Sequence, residues 1–181
     1  FLQERAGNSA GSAIAVTMEG TRPILLEVQA LTANSALGMP RRSANGFDST
    51  RVQMLVAVLS KRVGLPLGGQ DIYVNIVGGL RIVEPAIDLA VVVAMASSFR
   101  ERPVDHESVI IGEVGLSGEL RSVNQLERRL NEAMRLGFRR AIVPAAPRVV
   151  AASPLDIQIL RASTVSEAIE MALTPADRQS T

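Results

Sequence analysis

Among the side chains that can hold or move charge, arginine dominates this chain. Nineteen residues are Lys or Arg and Lys61 is the single lysine, which leaves 18 arginines; His106 is the single histidine and there is no cysteine. A guanidinium stays charged at any working pH, and its planar fork meets phosphate or carboxylate oxygens two at a time. That inventory admits anion binding and removes much else. Without cysteine there is neither a disulfide framework nor a thiolate metal site. One histidine in a polar turn and scattered carboxylates give poor support to any other metal site. A Ser-His-Asp triad would have to use His106, and a Ser-Lys pair would have to use Lys61, which stands beside Arg62 late in a helix and reads as solvated. The phosphate loop G-x-x-x-x-G-K-[ST] is excluded, because the one lysine is followed by Arg62. Gly112, Gly115 and Gly118 spell G-x-x-G-x-x-G, the pattern of a hairpin return and not of a dinucleotide site. The arginine bias also has a plain alternative, a G·C-rich genome replacing lysine on a solvated surface. Position has to decide which arginines matter.

The elements that position these groups are organised around Gly78–Arg100, GGLRIVEPAIDLAVVVAMASSFR. A Gly-Gly turn and Arg81 lead into Glu84-Pro85, and proline suits a first helical turn, where its missing N–H has no partner anyway. From Ala86 to Met95 the run is apolar nearly all round, as expected of a helix in the middle of a domain. About thirteen apolar residues interrupted by Asp88 are too few to cross a bilayer. The N-terminus of this helix is the first place to look for a site.

Before it, Ala13–Glu19 and Pro23–Leu31 read as two strands joined at Gly20-Thr21-Arg22. Residues 32–47 read as a loop with Arg41 and Arg42 at its tip. Asp48 or Ser49 caps a helix through about Val63, with Val52, Leu55, Val56 and Leu59 at helical spacing. Asp71–Val77 alternates as a strand. After Arg100, Ser108–Glu113 reads as a strand and 115–121 as a tight return. Val123–Leu136 reads as an amphipathic helix, with Leu126, Leu130, Ala133 and Met134 inward and Glu127, Arg128, Arg129, Glu132 and Arg135 outward, stopped by Gly137. Arg140–Pro144 and Ile157–Arg161 are short strands, Val165–Leu173 is a last helix, and Thr174–Thr181 reads as frayed. A hairpin followed by alternating helices and strands predicts an α+β or α/β layered domain with mixed strand directions.

Composition agrees with one domain. At 181 residues and 47% hydrophobic the chain can bury a core, and with 3% aromatic residues and no tryptophan that core is aliphatic. So few rings disfavour nucleic-acid binding by base stacking. The net charge of +1 says little. No signal peptide or membrane span is evident, so a soluble, cytoplasmic protein is expected.

EPAIDLAVVVAMASS, followed by VIIGEVGLSGELRSVNQLERRLNEAMRLGFRRAIVP, resembles the proteolytic domain of Lon proteases over about Ala13–Leu173. The resemblance implies a Lon proteolytic-domain-like fold (ribosomal protein S5 domain 2-like), a layered sheet with helices. The Lon serine, in P-S-A-G, falls on Ala86 of Pro85-Ala86-Ile87-Asp88. The Lon lysine, in G-G-L-K-E-K, falls on Glu127 of Asn124-Gln125-Leu126-Glu127-Arg128-Arg129. Both members of the dyad are replaced, and alanine has no nucleophile to activate. A fold without peptidase activity is therefore expected. MEGTRPILLEVQAL, RRSANGFDSTRVQMLVAVLSKRVGL and GGLRIVEPAIDLAVVVAMASS are more closely similar to the Lon-like C-terminal domains of the RadA (Sms) family of bacterial DNA-repair proteins.

That second resemblance implies residues 1–12 as a linker from a missing RecA-like ATPase domain, 13–173 as the Lon-like domain and 174–181 as a flexible tail. It implies a non-catalytic, ring-forming scaffold for a motor acting in recombination by branch migration. ATP, Mg and Zn would belong to the missing N-terminal domains, which carry a zinc finger, and this part would hold no cofactor. The partners implied are single-stranded or branched DNA, other copies in a hexameric ring, and the recombinase RecA, in the cytoplasm with the nucleoid and away from membranes. Arg42, Arg51, Arg81 and Arg121 are the candidate DNA-binding residues, bordering the vestigial positions or lying on the preceding loop and helix. Each has an ion pair as its alternative: Arg81 with Glu84, and Arg121 with Glu119. Arg22, Arg128 and Arg129 suit subunit contacts or solvated surface, and Leu37, Met39 and Phe47 are apolar residues able to cover a neighbouring subunit. The competing functions are a Lon-type serine peptidase with relocated groups and a scaffold that touches no DNA.

Overall fold

In the computed structural model, which describes residues 9–36, 38–146 and 156–175, the expected hairpin is β1 (Ser12–Glu19) and β2 (Arg22–Asn34), paired antiparallel from Ser12–Gln29 to Glu19–Arg22. The last residues of the segment expected as a linker, 1–12, are tied into the fold. Gly11 donates to Ser97 Oγ at 2.9 Å, its carbonyl accepts from Ala30 N–H, and β1 starts at Ser12. The earlier linker residues 1–8 and the tail residues 176–181 lie outside the described residues, as does Leu37.

The segment expected to be one long loop is partly sheet. β2 runs on to Asn34, and β3 (Arg42–Asn45) pairs in parallel with β4 (Gln70–Ile76). Four residues carry no periodicity of their own, so only the neighbouring strand reveals β3. Gly46 follows at φ +80°, where a Cβ would stand 2.4 Å from Leu80 O. Its carbonyl accepts from Ile82 N–H at 2.8 Å, which ties the 78–83 loop to the end of β3. Between them, α1 (Ser49–Val58) is capped by the Asp48 carboxylate on Thr50 N–H, widens into a π-helical turn over Leu59–Val63, and stops at left-handed Gly64.

A short 3₁₀ turn, Pro85–Ile87, opens α2 (Asp88–Arg100), whose residues from Asp88 to Ser97 are all buried. This is the central helix the sequence predicts. Beyond it come β5 (Ser108–Ile110), the small hairpin β6 (Glu113–Val114) and β7 (Leu120–Arg121), α3 (Leu126–Arg135), β8 (Arg140–Pro144), β9 (Gln158–Ala162) and α4 (Val165–Ala172). Thr174, read as frayed, is held: its N–H donates to Pro103 O at 2.9 Å and its carbonyl accepts from Arg102 Nε at 2.9 Å.

The main sheet has seven strands in the order β3-β4-β2-β1-β5-β8-β9. The β1–β2 and β2–β4 pairs are antiparallel and the other four are parallel, so this is a mixed α/β fold with a mostly parallel sheet. One face packs on α2, α1 and α4 through the larger apolar cluster. On the other face α3 packs on β1 and β2, and Leu126, Leu130 and Ala133 close a second cluster with Ile14, Val16, Leu25, Val109 and Ala141. No helix among the described residues is long and apolar enough to cross a membrane.

Candidate functional site

At the head of α2 the chain builds a pocket of about 250 Å³ lined by Glu84, Pro85, Ala86, Glu113, Ser122, Val123 and Asn124. Ala86 presents a methyl group and is buried. The backbone around it is tied to the β5–β6 connection: its carbonyl accepts from Gly112 N–H at 3.0 Å, and Leu89 N–H donates to Gly112 O at 3.0 Å. Glu127, on the first turn of α3, is exposed and does not line the pocket. The structure therefore does not bring into one pocket the two positions that the Lon resemblance assigns to a dyad.

A buried ion pair braces each end of this segment. Asp88, with no accessible surface, receives Arg51 Nε at 2.6 Å and Arg51 NH2 at its second oxygen, which also accepts from Val114 N–H at 3.2 Å. Burial pushes the Asp88 carboxyl up, against the pull of the Arg51 fork and the Val114 amide. Arg51, a candidate phosphate ligand from sequence, is thus engaged internally, on a side chain 26% exposed. A lone carboxylate in an apolar helix needs a cation, and Asp88 in that run was the signal available for it.

The second pair overturns the placement of Arg129. Read as outward, it is fully buried. Its Nε donates to Asn124 O at 2.9 Å, NH1 to Val16 O at 2.8 Å, and NH2 to Asn124 Oδ1 at 2.7 Å and to Glu84 Oε1. Glu84 Oε2 in turn accepts from Met18 N–H at 3.0 Å and Thr17 Oγ1 at 2.8 Å. The reason lies in β1. Its pairing with β5 is registered at Ile14–Val109, so the backbone groups of Val16 and Met18 on that edge lack a strand. Two side chains stand in for it, since buried backbone donors and acceptors need partners. Burial alone would raise the Glu84 carboxyl, but Arg129, the Met18 amide and the Thr17 hydroxyl together hold it below the usual carboxylate range. Arg129 follows Leu126 by three residues and precedes Leu130 and Ala133 on the same stripe, so the spacing already contained its burial.

The remaining candidates are separate from one another. Arg42 lies on β3, not at a loop tip, and its NH2 donates to Leu67 O at 3.0 Å. Arg81 and Arg121 are exposed and belong to none of the described ion pairs. The alternatives set against them do not form, because Glu84 takes Arg129 and Glu119 accepts from Ser117 N–H at 3.3 Å. Arg121 stands opposite Glu113 in the register of the small hairpin, and Glu113 lines the pocket. The pocket itself carries two acids and no arginine, so it offers little to a phosphate. Phe47 is buried core, whereas Met39 is 80% exposed. Among the described residues no three His, Cys, Asp or Glu side chains gather into a possible metal site.

Fold and site together define a mixed α/β domain whose central helix begins at an open, acid-lined pocket with a methyl group at Ala86. Residues 28–147 match the profile of the family described as subunit ChlI of Mg-chelatase, and the chain belongs to that family. It is similar to proteins named DNA repair protein RadA: 50% identical over 173 residues to that of Bacillus subtilis (strain 168), covering 96% of this chain and 38% of the relative. The corresponding protein of Halalkalibacterium halodurans is 47% identical over 173 residues, with 96% and 38% covered. That of Streptococcus pneumoniae (strain R6) is 46% identical over 170 residues, with 94% and 40% covered. The chain thus spans about two fifths of the length of these relatives.

Proposed function

We propose that this domain is a non-catalytic scaffold of a DNA-repair motor, Lon-like in fold, which assembles into a ring and holds DNA without reading its sequence. The observation that carries the proposal is the 50% identity, over 96% of the chain, to a protein named DNA repair protein RadA. The methyl group at Ala86 and the separation of Glu127 from its pocket support the absence of peptidase chemistry, since acyl transfer needs a nucleophile beside a base. ATP with Mg, and Zn, would be bound by other parts of the full-length protein, which would meet RecA and branched DNA in the nucleoid.

Arg81 and Arg121 support the DNA contact, being exposed and outside the described ion pairs; Arg42 and Arg51 contribute less, because each is held within the fold. Phosphate contacts release counterions, and each one adds about 0.9 to the slope of log affinity against log salt on duplex DNA and about 0.7 on single strands. The test is binding to a fluorescent single-stranded oligonucleotide across a salt series. Arg81→Ala and Arg121→Ala should each lower affinity and flatten the slope by about 0.7. Unchanged affinity and slope in the double variant would remove the DNA role and leave a scaffold that touches no DNA.

A further inference from the structure

On the α3 side of the sheet, α3 packs on β1 and β2, and the β4–β3 edge beyond them lies to one side of it. A polar row crosses this edge in register: Ser12, Gln29, Asn75 and Asn45 stand in one line across four strands. Asn45 Nδ2 donates to Asn75 Oδ1 at 3.0 Å, and Asn75 Nδ2 reaches Gln29 Oε1 at 3.5 Å. Along this row there is a groove of about 290 Å³, lined among others by Glu27, Gln29, Leu31, Tyr73 and Asn75.

Glu27 sets the chemistry of the groove. It is 5% exposed, and Ser12 Oγ donates to its Oε2 at 2.6 Å. No cation among the described residues stands within ion-pair distance of it. Asp88, the other buried carboxylate among the described residues, and the part-buried Glu84 each hold a guanidinium. A nearly buried carboxylate without a cation is costly, and the groove gives one room to enter. Tyr73 supplies a ring on which a guanidinium can stack, and Leu31, 59% exposed, supplies an apolar wall for its methylene stem.

We infer that the Glu27 groove is a guanidinium socket filled by an arginine of a second copy of this chain. Charge complementarity selects the occupant. The chain carries 18 arginines to one lysine, and Arg22, Arg81 and Arg121 are exposed and outside every described ion pair. The socket deepens the ring-scaffold proposal and rests on it.

The test measures the concentration dependence of assembly mass for the parent chain, Glu27→Gln and Glu27→Asp, by sedimentation velocity, with circular dichroism as the check on folding. Truncating one side of a buried charge pair across an interface weakens it by about 30-fold or more. Glu27→Gln should therefore raise the dissociation concentration by at least about 30-fold, while the monomer melts no lower than the parent, because a buried charge has been removed. A parent that assembles together with a Glu27→Gln variant that assembles equally well overturns the socket and leaves the scaffold standing. A parent that stays monomeric at every concentration overturns both. If neither variant folds, the carboxylate serves the fold and the socket is wrong.

Discussion

Arg129→Met removes a buried guanidinium while roughly keeping the length of the side chain. It deletes the bonds to Val16 O, Asn124 O and Asn124 Oδ1, and leaves Glu84 without its cation. Removing one partner of a buried ion pair costs about 3–5 kcal/mol, and a stranded backbone carbonyl falls within the same order. A loss of about 4 kcal/mol corresponds to about 8–16 °C in melting temperature for a domain of this length. The sign with pH follows from Glu84. Its depressed carboxyl stabilises the parent at pH values above the ordinary glutamate range, and that contribution is lost as pH falls through the lowered value. In the variant the guanidinium is gone and burial dominates, so the carboxyl shifts up and its ionisation now opposes folding. The gap between variant and parent should therefore be widest at neutral pH and should narrow as pH falls, first through the variant's raised value and then through the parent's lowered one, leaving the pH-independent loss of the other bonds. Urea melts followed by far-UV circular dichroism give the answer, since the chain has no tryptophan. Adding Glu84→Gln to Arg129→Met should recover at least about 1 kcal/mol, because the amide still accepts from Met18 N–H without an unpaired charge. A loss under about 1 kcal/mol, or a gap that does not change with pH, would refute the view that these two side chains complete the edge of β1.

Arg51→Ala strands Asp88 and should cost about 3–5 kcal/mol, more as pH rises because the raised carboxyl ionises against its burial; Asp88→Asn in the same chain should restore part of it in urea melts. Gly46→Ala forces a left-handed backbone and a Cβ 2.4 Å from Leu80 O, so the melting temperature should fall by several degrees and amides of the 78–83 loop should exchange faster. A fluorophosphonate probe should leave the chain unlabelled; stoichiometric labelling of any serine would return the peptidase reading to consideration.

Local chemistry carried much of this fold into the sequence. The β1–β2 hairpin, the all-buried helix after Pro85 and the Asp48 cap were legible because each depends on residues within a few positions of one another. The assignment of Ala86 and Glu127 to dyad positions rests on the resemblance alone and has no counterpart in the local pattern. The candidate site was only partly legible. Arg51 and Arg129, assigned to DNA or to solvent, turned out to neutralise carboxylates 37 and 45 residues away.

What the sequence alone determined is which segments are apolar and how they repeat, because periodicity is written along the chain. Which arginine meets an acid, which strand β3 joins and which strands α3 covers were decided by tertiary structure. These depend on where two strands stop pairing and leave backbone groups open, and a missing partner across space leaves no mark on the local pattern.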